Sequence, residues 1–138
     1  MNDNIQKGII YYLLVDLKFL SICRTRLDPK IFQSPIEQQI CKIIFDFFDN
    51  HGAIINDNVD TIILQEFPEN EQNIIAEYLN KLFSSTYIKS YVQEKLDGFI
   101  QKREWEKALI ECVEDLDTNN IDAIENRVYK IIRNKFSY

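Results

Sequence analysis

The chain has 138 residues, of which 46% are hydrophobic and 28% charged, so it is long enough for one domain with a buried core. Its three glycines and three prolines are too few for the many tight turns of a β-sandwich or barrel, and long helices are favoured instead. A formal net charge of −6 argues against sequence-independent nucleic-acid binding by the whole domain, which requires clustered Lys and Arg. A protein partner with a basic surface suits this charge better.

The cysteines Cys23, Cys41 and Cys112 are widely spaced and form no CxxC motif. Each lies within an apolar pattern, which is typical of small buried side chains in a reducing compartment. The N-terminal residues lack the basic and apolar regions of a signal peptide, and no apolar run reaches the roughly 20 residues that cross a bilayer. The sequence therefore predicts a cytoplasmic protein without a membrane segment.

The first predicted helix runs to about Val15, and a break at Asp16 separates it from a short second helix that ends at about Arg24. Apolar side chains recur there at helical spacing: Ile5, Ile9, Ile10, Leu13, Leu14, Phe19, Leu20 and Cys23. Periodicity alone also allows a strand over GIIYYLLV. Helix is favoured because no alternating partner strand occurs elsewhere.

The next helix has the clearest start and stop signals of the chain. Ser34 is placed to cap it, Pro35 falls at its first position, and Glu37 would complete a capping box. A broad apolar stripe follows, and Gly52 suits the left-handed position after the last turn.

Two further helices are predicted before the long C-terminal one. A short helix over VDTIILQEF would be capped by Asn56 or Asp57 and stop before Pro68. A longer helix over ENEQNIIAEYLNKLF would end at Ser84, Ser85 or Thr86. Its apolar stripe comprises Ile74, Ile75, Tyr78, Leu79, Leu82 and Phe83.

A long helix starting near Tyr87 changes its apolar face partway along. At about 100° per residue, one face carries Val92, Leu96, Phe99 and Ile100. A second face, rotated by roughly 150°, carries Trp105, Leu109, Cys112 and Leu116. After the turn DLDTNN, an amphipathic helix to about Lys135 carries Ile121, Ile124, Val128, Ile131 and Ile132.

The predicted fold class is therefore all-α, with a compact helical bundle over residues 1–100 followed by a C-terminal helical hairpin over residues 101–138. The helix changes face because it would connect two packing units.

The sequence predicts no catalytic residue, cofactor site or metal site. No Gly-rich phosphate loop is present, and His51, the only histidine, suits a cation or turn residue at a helix end. Carboxylates recur at Asp46 and Asp49 and at Glu111, Glu114 and Asp115. Without a Glu-x-x-His companion, these groups are interpreted as solvated surface.

The basic residues Lys102, Arg103 and Lys107 flank Trp105, and a second basic set, Arg127, Lys130, Arg133 and Lys135, lies on the final helix. They are interpreted first as ion-pair partners for Glu106, Glu111 and Glu125. A nucleic-acid contact is the alternative. Trp105 fits either the core of the hairpin or an interface on its outer side.

The order of elements resembles the N-terminal domain of DnaB-type replicative helicases, especially the divergent phage-encoded members. The most specific part is Leu27-x-Pro29-x-x-Phe32-x-x-Pro35, followed by Ile40, Ile44 and the helix stop at Gly52. The segment FIQKREWEKALIECVEDLDTNNIDAIENRVYKI is similar to the hairpin of that family. Cellular members often carry His where this chain has Glu37.

The resemblance implies a non-catalytic module that forms a collar on a hexameric ring through paired hairpins and recruits primase or a loader protein. ATP hydrolysis would belong to a C-terminal RecA-like domain, so the full-length parent would be an ATP-dependent helicase. A chain ending straight after its last helix is what an excised domain would show.

Self-association as a dimer or hexameric collar is therefore expected, with weak or no DNA contact. The residues expected to hold the hairpin or its self-association are Trp105, Leu109, Cys112, Leu116, Ile124, Val128 and Ile131. Those expected to contact a partner are Lys102, Arg103 and Lys107. The alternatives are a stand-alone phage adaptor or inhibitor that binds a replication factor, and a single-stranded nucleic-acid-binding module.

Overall fold

The computed structural model describes residues 2–133, and all regular structure within them is helical. Seven α-helices lie in this range: α1 Asp3–Val15, α2 Leu17–Arg26, α3 Pro35–His51, α4 Val59–Ile62, α5 Gln72–Ser84, α6 Lys89–Asp117 and α7 Ile121–Arg133. Single 3-10 turns occur at Pro29–Ile31, Asn56–Asn58, Leu64–Glu66 and Glu69–Glu71. The all-α prediction is confirmed.

The chain divides into two compact units, Met1–Gln93 and Glu94–Tyr138. Helices α1 to α5 belong to the first unit, and α7 belongs to the second. The division falls inside α6, whereas the sequence pattern places the change of core near Ile100. One continuous helix therefore supplies residues to both units.

The core of the first unit is built around α1, which packs against α2, α3 and α5. Two adjacent pairs of apolar side chains on α1, Ile9 with Ile10 and Leu13 with Leu14, are completely buried because three other helices pack against it. The fully buried side chains of this core include Ile9, Ile10, Leu13, Leu14, Phe19, Leu20, Phe32, Ile40 and Ile44. Cys23 and Cys41 are also buried, and their burial raises the pKa of both thiols, so they act as small apolar side chains.

Asp16 separates α1 from α2, as the sequence predicts. Its backbone is extended, and its carboxylate accepts a hydrogen bond from the backbone N–H of Phe19 at 3.0 Å, which caps α2. Lys89 forms an ion pair with the same carboxylate. Burial opposes ionisation, but Lys89 and the capping N–H groups outweigh it and lower the pKa of Asp16.

Helix α3 begins at Pro35 and ends before Gly52, as predicted. Gly52 is left-handed (φ 63°), and its N–H donates to the carbonyl of Phe48 at 2.7 Å, which closes the helix end.

The predicted capping box at the start of α3 is wrong. The Ser34 side chain makes no capping hydrogen bond. Glu37 instead turns into the bundle, where it is buried and accepts a hydrogen bond from the Tyr78 hydroxyl at 2.7 Å. A tertiary partner on α5 has replaced the local partner that the motif favours.

The middle of the chain departs from the prediction at two further points. Helix α4 starts after the 3-10 turn Asn56–Asn58, with Asn58 rather than Asn56 or Asp57 at its N-cap and without a side-chain bond. The predicted stripe of α5 is only partly buried, because Ile74 and Phe83 are 57% and 42% exposed.

In the second unit, a tight turn joins α6 to α7. Asn119 adopts a left-handed conformation (φ 59°), and the side-chain oxygen of Asn120 accepts from the backbone N–H of Ala123 at 3.3 Å. These are the roles that asparagine fills well in turns and at helix starts. The prediction that α7 reaches Lys135 extends beyond the described residues, which end at Arg133.

Candidate functional site: the helical hairpin

A cluster of charged side chains lies at the contact between α6 and α7, called here the seam. Arg127 of α7 lies between two acidic residues of α6: its Nε is 2.8 Å from the Glu111 carboxylate, and it also pairs with Asp115. Ala108 and Ile131 are buried and lie one turn from this cluster on their helices. The side of α6 that carries Ala108, Glu111 and Asp115 therefore faces α7.

The apolar stripe of α6 does not point along this seam. Leu109 and Leu116 lie roughly 100° around the helix from the Ala108–Asp115 side, at 100° per residue. They are 61% and 60% exposed, and Val113 beside them is 62% exposed. The stripe that the sequence predicts is thus present, but much of it faces outward.

The exposed apolar residues of α7 are likewise rotated away from the side of the helix that faces α6. Ile121 and Ile132 lie roughly 100–120° around the helix from the midpoint between Arg127 and Ile131, and they are 49% and 58% exposed. The two helices run antiparallel, because Arg127 lies opposite Glu111 and Asp115 across a short turn. Equal rotations on antiparallel helices bring both stripes to the same side of the hairpin.

Together these residues form one exposed apolar surface, called here the hairpin face: Leu109, Val113, Leu116, Ile121 and Ile132. An exposed, contiguous apolar patch of this kind is typical of an interaction surface.

The residues expected to hold the hairpin or its self-association occupy three different environments. Ile131 is buried in the seam. Leu109 and Leu116 belong to the exposed hairpin face. The half-buried members are Trp105, Cys112, Ile124 and Val128.

The residues expected to contact a partner are all exposed but do not form one patch. Lys102, Arg103 and Lys107 spread over roughly 140° of the helix circumference. The Arg103 guanidinium lies 5.3 Å from the centroid of the Phe99 ring, and only Lys102 lies on the side of the hairpin face.

The sequence missed the most specific contact of the hairpin. It assigned Asp115 to a solvated surface and Glu111 either to that surface or to an ion pair with an unspecified basic residue, whereas both are half-buried beside Arg127. Their i, i+4 spacing on α6 opposite a single arginine across the turn is a signal that could have found the cluster.

Within residues 2–133, no three His, Cys, Asp or Glu side chains are arranged to hold a metal ion. His51 is exposed, and its ring centroid lies 4.6 Å from that of Phe47.

Comparison with known proteins returned no match to a family model, to a curated protein or to a solved structure. Over residues 2–133, none of the helices has the length and apolar character needed to cross a membrane.

Proposed function

We propose that this chain is a non-catalytic assembly and docking module, the N-terminal collar domain of a DnaB-type replicative helicase. In this proposal a second copy covers the hairpin face, paired copies build a ring, and primase or a loader protein docks on the assembled collar in the cytoplasm. The observation that carries the proposal is the exposed apolar face of the α6–α7 hairpin.

The hairpin face supports the proposal because the seam alone buries little apolar surface. Ala108 and Ile131 are the buried apolar side chains of the seam, whereas the five members of the hairpin face remain between 49% and 62% exposed. Most helix stability in proteins comes from burying an amphipathic face. A second hairpin would supply the missing cover, and two identical faces can satisfy each other around a two-fold axis.

The order of elements also supports the proposal. The chain opens with two helices, continues with a helix that starts at Pro35 and stops at Gly52, and closes with a long helix that returns through a short turn. The resemblance to the helicase collar implies this order.

Light scattering coupled to size-exclusion chromatography tests the assembly. We expect the parent chain to be a dimer or larger, and the double variant Leu109→Ser, Val113→Ser to be monomeric with unchanged helical circular dichroism. Both side chains are mostly exposed, so the substitutions remove apolar contact area without opening a core cavity.

The matched control is Ile74→Ser, Ile88→Ser, which removes two side chains that are 57% and 69% exposed in the first unit. This control is expected to keep the parent's mass. A parent that stays monomeric at its highest soluble concentration, or a hairpin variant that keeps the parent's mass, would contradict assembly through the hairpin face.

Two further measurements separate the alternatives. A coding region that continues past Tyr138 into a P-loop ATPase domain would support the helicase, whereas a stop codon would favour a stand-alone adaptor. Salt-dependent binding of a single-stranded oligonucleotide that is lost in Trp105→Ala would favour a nucleic-acid-binding module.

A further inference from the structure

The first unit carries a second surface feature, an apolar groove between the N-terminal ends of α3 and α5. It encloses about 320 Å³ and is called here the α3–α5 groove. Its apolar walls are formed by Pro35, Ile36, Phe67, Pro68, Ile74 and Ile75. None of these residues belongs to the hairpin.

Two prolines and two buried side chains constrain the walls of the α3–α5 groove. Pro35 occupies the first turn of α3, and Pro68 precedes the 3-10 turn Glu69–Glu71, so ring closure fixes φ at both positions. Phe67 and Ile75 are anchored in the core at 8% and 1% exposure. A preformed apolar groove binds with less ordering cost than a flexible surface does.

Ile74 shows that the groove is open to a ligand. It directly precedes the buried Ile75 on α5, yet 57% of its surface is exposed. A β-branched apolar side chain at the mouth of an apolar groove is a ready contact for another apolar group.

The rim of the groove is acidic. Glu66 and Glu71 line it, and Glu69 lies between them in the chain. None of the three forms an ion pair with another residue in the range 2–133. Part of this charge stabilises the N-terminus of α5, but Glu66 lies outside that helix.

The surrounding sequence reinforces this charge. Between Lys42 and Lys81 the chain contains no Lys or Arg. It carries eight carboxylates there, of which Asp49 pairs with Arg24 and Glu77 pairs with Lys81; the others are Asp46, Asp57, Asp60, Glu66, Glu69 and Glu71. No cation from within this segment can neutralise the rim, so the groove combines an apolar floor with an acidic edge.

We propose that the α3–α5 groove docks a segment of a partner protein that presents one or two large apolar side chains flanked by Lys or Arg. The apolar side chains would enter against Ile36, Phe67 and Ile74, and the cations would pair with Glu66 and Glu71. The volume lies near the lower end of the range for ligand sites, roughly 300–1,000 Å³, which suits side-chain anchors. This docking does not depend on the hairpin face.

Selection from a display library of random 12-residue peptides on the intact chain tests this docking. We expect enriched peptides to carry Lys or Arg around a Leu, Ile, Phe or Trp. Synthetic copies should bind about tenfold more weakly to Ile74→Ser and to Glu66→Lys than to the parent, since removing an anchor contact or reversing a rim charge is a change of that order. Their affinity should also fall as salt is raised.

The matched controls lie on the hairpin. Ile110→Ser removes a side chain that is 66% exposed, and Glu114→Lys reverses an exposed charge on α6; both should bind the peptides as the parent does. Failure to enrich any peptide, enrichment of acidic or uncharged peptides, or equal binding to Ile74→Ser would overturn the proposal. So would peptides that lose binding only on Ile110→Ser.

The same variants also separate this groove from self-association. If Ile74→Ser lowers the mass of the chain in light scattering, the occupant of the groove is a second copy and the proposed partner segment is wrong. If only the hairpin-face variant lowers the mass, assembly and peptide docking use different surfaces.

Discussion

Glu37 lies buried in the first turn of α3 and depends on one donor from another helix. The Tyr78 hydroxyl, 2.7 Å away, donates to its carboxylate. Burial raises the pKa of Glu37, and the hydrogen bond from Tyr78 offsets only part of this effect. Burial and the neighbouring carboxylate also raise the pKa of Tyr78, so the phenol stays protonated and remains a donor.

The stability of the fold is therefore expected to fall as pH rises through the titration of Glu37. A carboxyl whose folded pKa exceeds its unfolded pKa keeps more protons in the folded state, so ionisation costs folding free energy. Glu37→Gln removes this cost, and its stability relative to the parent should increase from acidic to neutral pH. Urea unfolding at a series of pH values measures this difference. The control Glu77→Gln, at an exposed site, should stay within about 0.5 kcal/mol of the parent, and a pH-independent difference for Glu37→Gln would contradict the assignment.

Tyr78→Phe is expected to have the opposite effect. It leaves the buried carboxylate without its hydroxyl donor, at a cost of about 1–3 kcal/mol at neutral pH. The cost should shrink at acidic pH, where Glu37 is protonated. Urea unfolding of the double variant Tyr78→Phe, Glu37→Gln checks the coupling, since the cost of losing the hydroxyl should be smaller when the charge is already absent.

Gly8 and Gly98 are both helical glycines, but their surroundings differ. A Cβ at Gly8 would lie 2.8 Å from Val92 Cγ2 and 3.2 Å from Tyr87 Cδ1, whereas a Cβ at Gly98 would meet nothing within 4 Å. The lack of a Cβ at Gly8 therefore allows α1 to approach the start of α6. At Gly98 no neighbouring atom would contact a Cβ, so no close packing requires glycine there.

Alanine substitution of these two glycines should change stability in opposite directions. Gly8→Ala is expected to destabilise by about 1–3 kcal/mol, because the added methyl overpacks a closed contact. Gly98→Ala is expected to stabilise by about 0.5–1 kcal/mol, because alanine loses less backbone entropy in a helix. Thermal and urea unfolding measure both, and a stabilised Gly8→Ala variant would contradict the close approach.

At the scale of the elements, the hairpin depends on Arg127. Its guanidinium pairs with Glu111 and Asp115 of the other helix, and the three side chains are only 16–35% exposed. Removal of one partner leaves partly buried charges without compensation, which costs more than the loss of a surface ion pair.

Arg127→Ala is accordingly expected to weaken the pairing of α7 with α6 by about 1–2 kcal/mol, between the effects of breaking an exposed and a buried ion pair. Amide hydrogen exchange along α7 should accelerate, while exchange in α1 and α3 stays unchanged. The control Arg133→Ala removes an exposed arginine that stacks 5.5 Å from the Tyr129 ring centroid and should have little effect. Unchanged protection of α7 in Arg127→Ala would show that the cluster does not hold the seam.

Helix boundaries show which elements the sequence could define. Asp16 and Gly52 act through their own backbone and immediate neighbours, so their roles as a break and a stop were predicted correctly. The start of α3 was placed correctly by Pro35, but the assigned capping partner was wrong because Glu37 found Tyr78, 41 residues away in sequence.

For the whole molecule, the proposed assembly makes thermal stability depend on concentration. A chain that folds and associates gains stability by mass action as concentration rises, and about 1 kcal/mol raises Tm by roughly 4 °C for a chain of this size. Differential scanning calorimetry over a concentration series should show a rising Tm for the parent and a constant Tm for Leu109→Ser, Val113→Ser. A constant Tm in both would count against assembly through the hairpin face.

The sequence by itself determined the helical class, the breaks at Asp16 and Gly52, and the amphipathic stripes of the last two helices. These features follow from periodicity, capping and turn chemistry, which act within a few residues. Only the tertiary structure decided which stripe is covered: it buried Glu37 against Tyr78, set Arg127 between Glu111 and Asp115, and left Leu109 and Leu116 exposed. The reason is that a stripe records apolar character, whereas the side of a helix that meets a neighbour is chosen by the packing of both elements together.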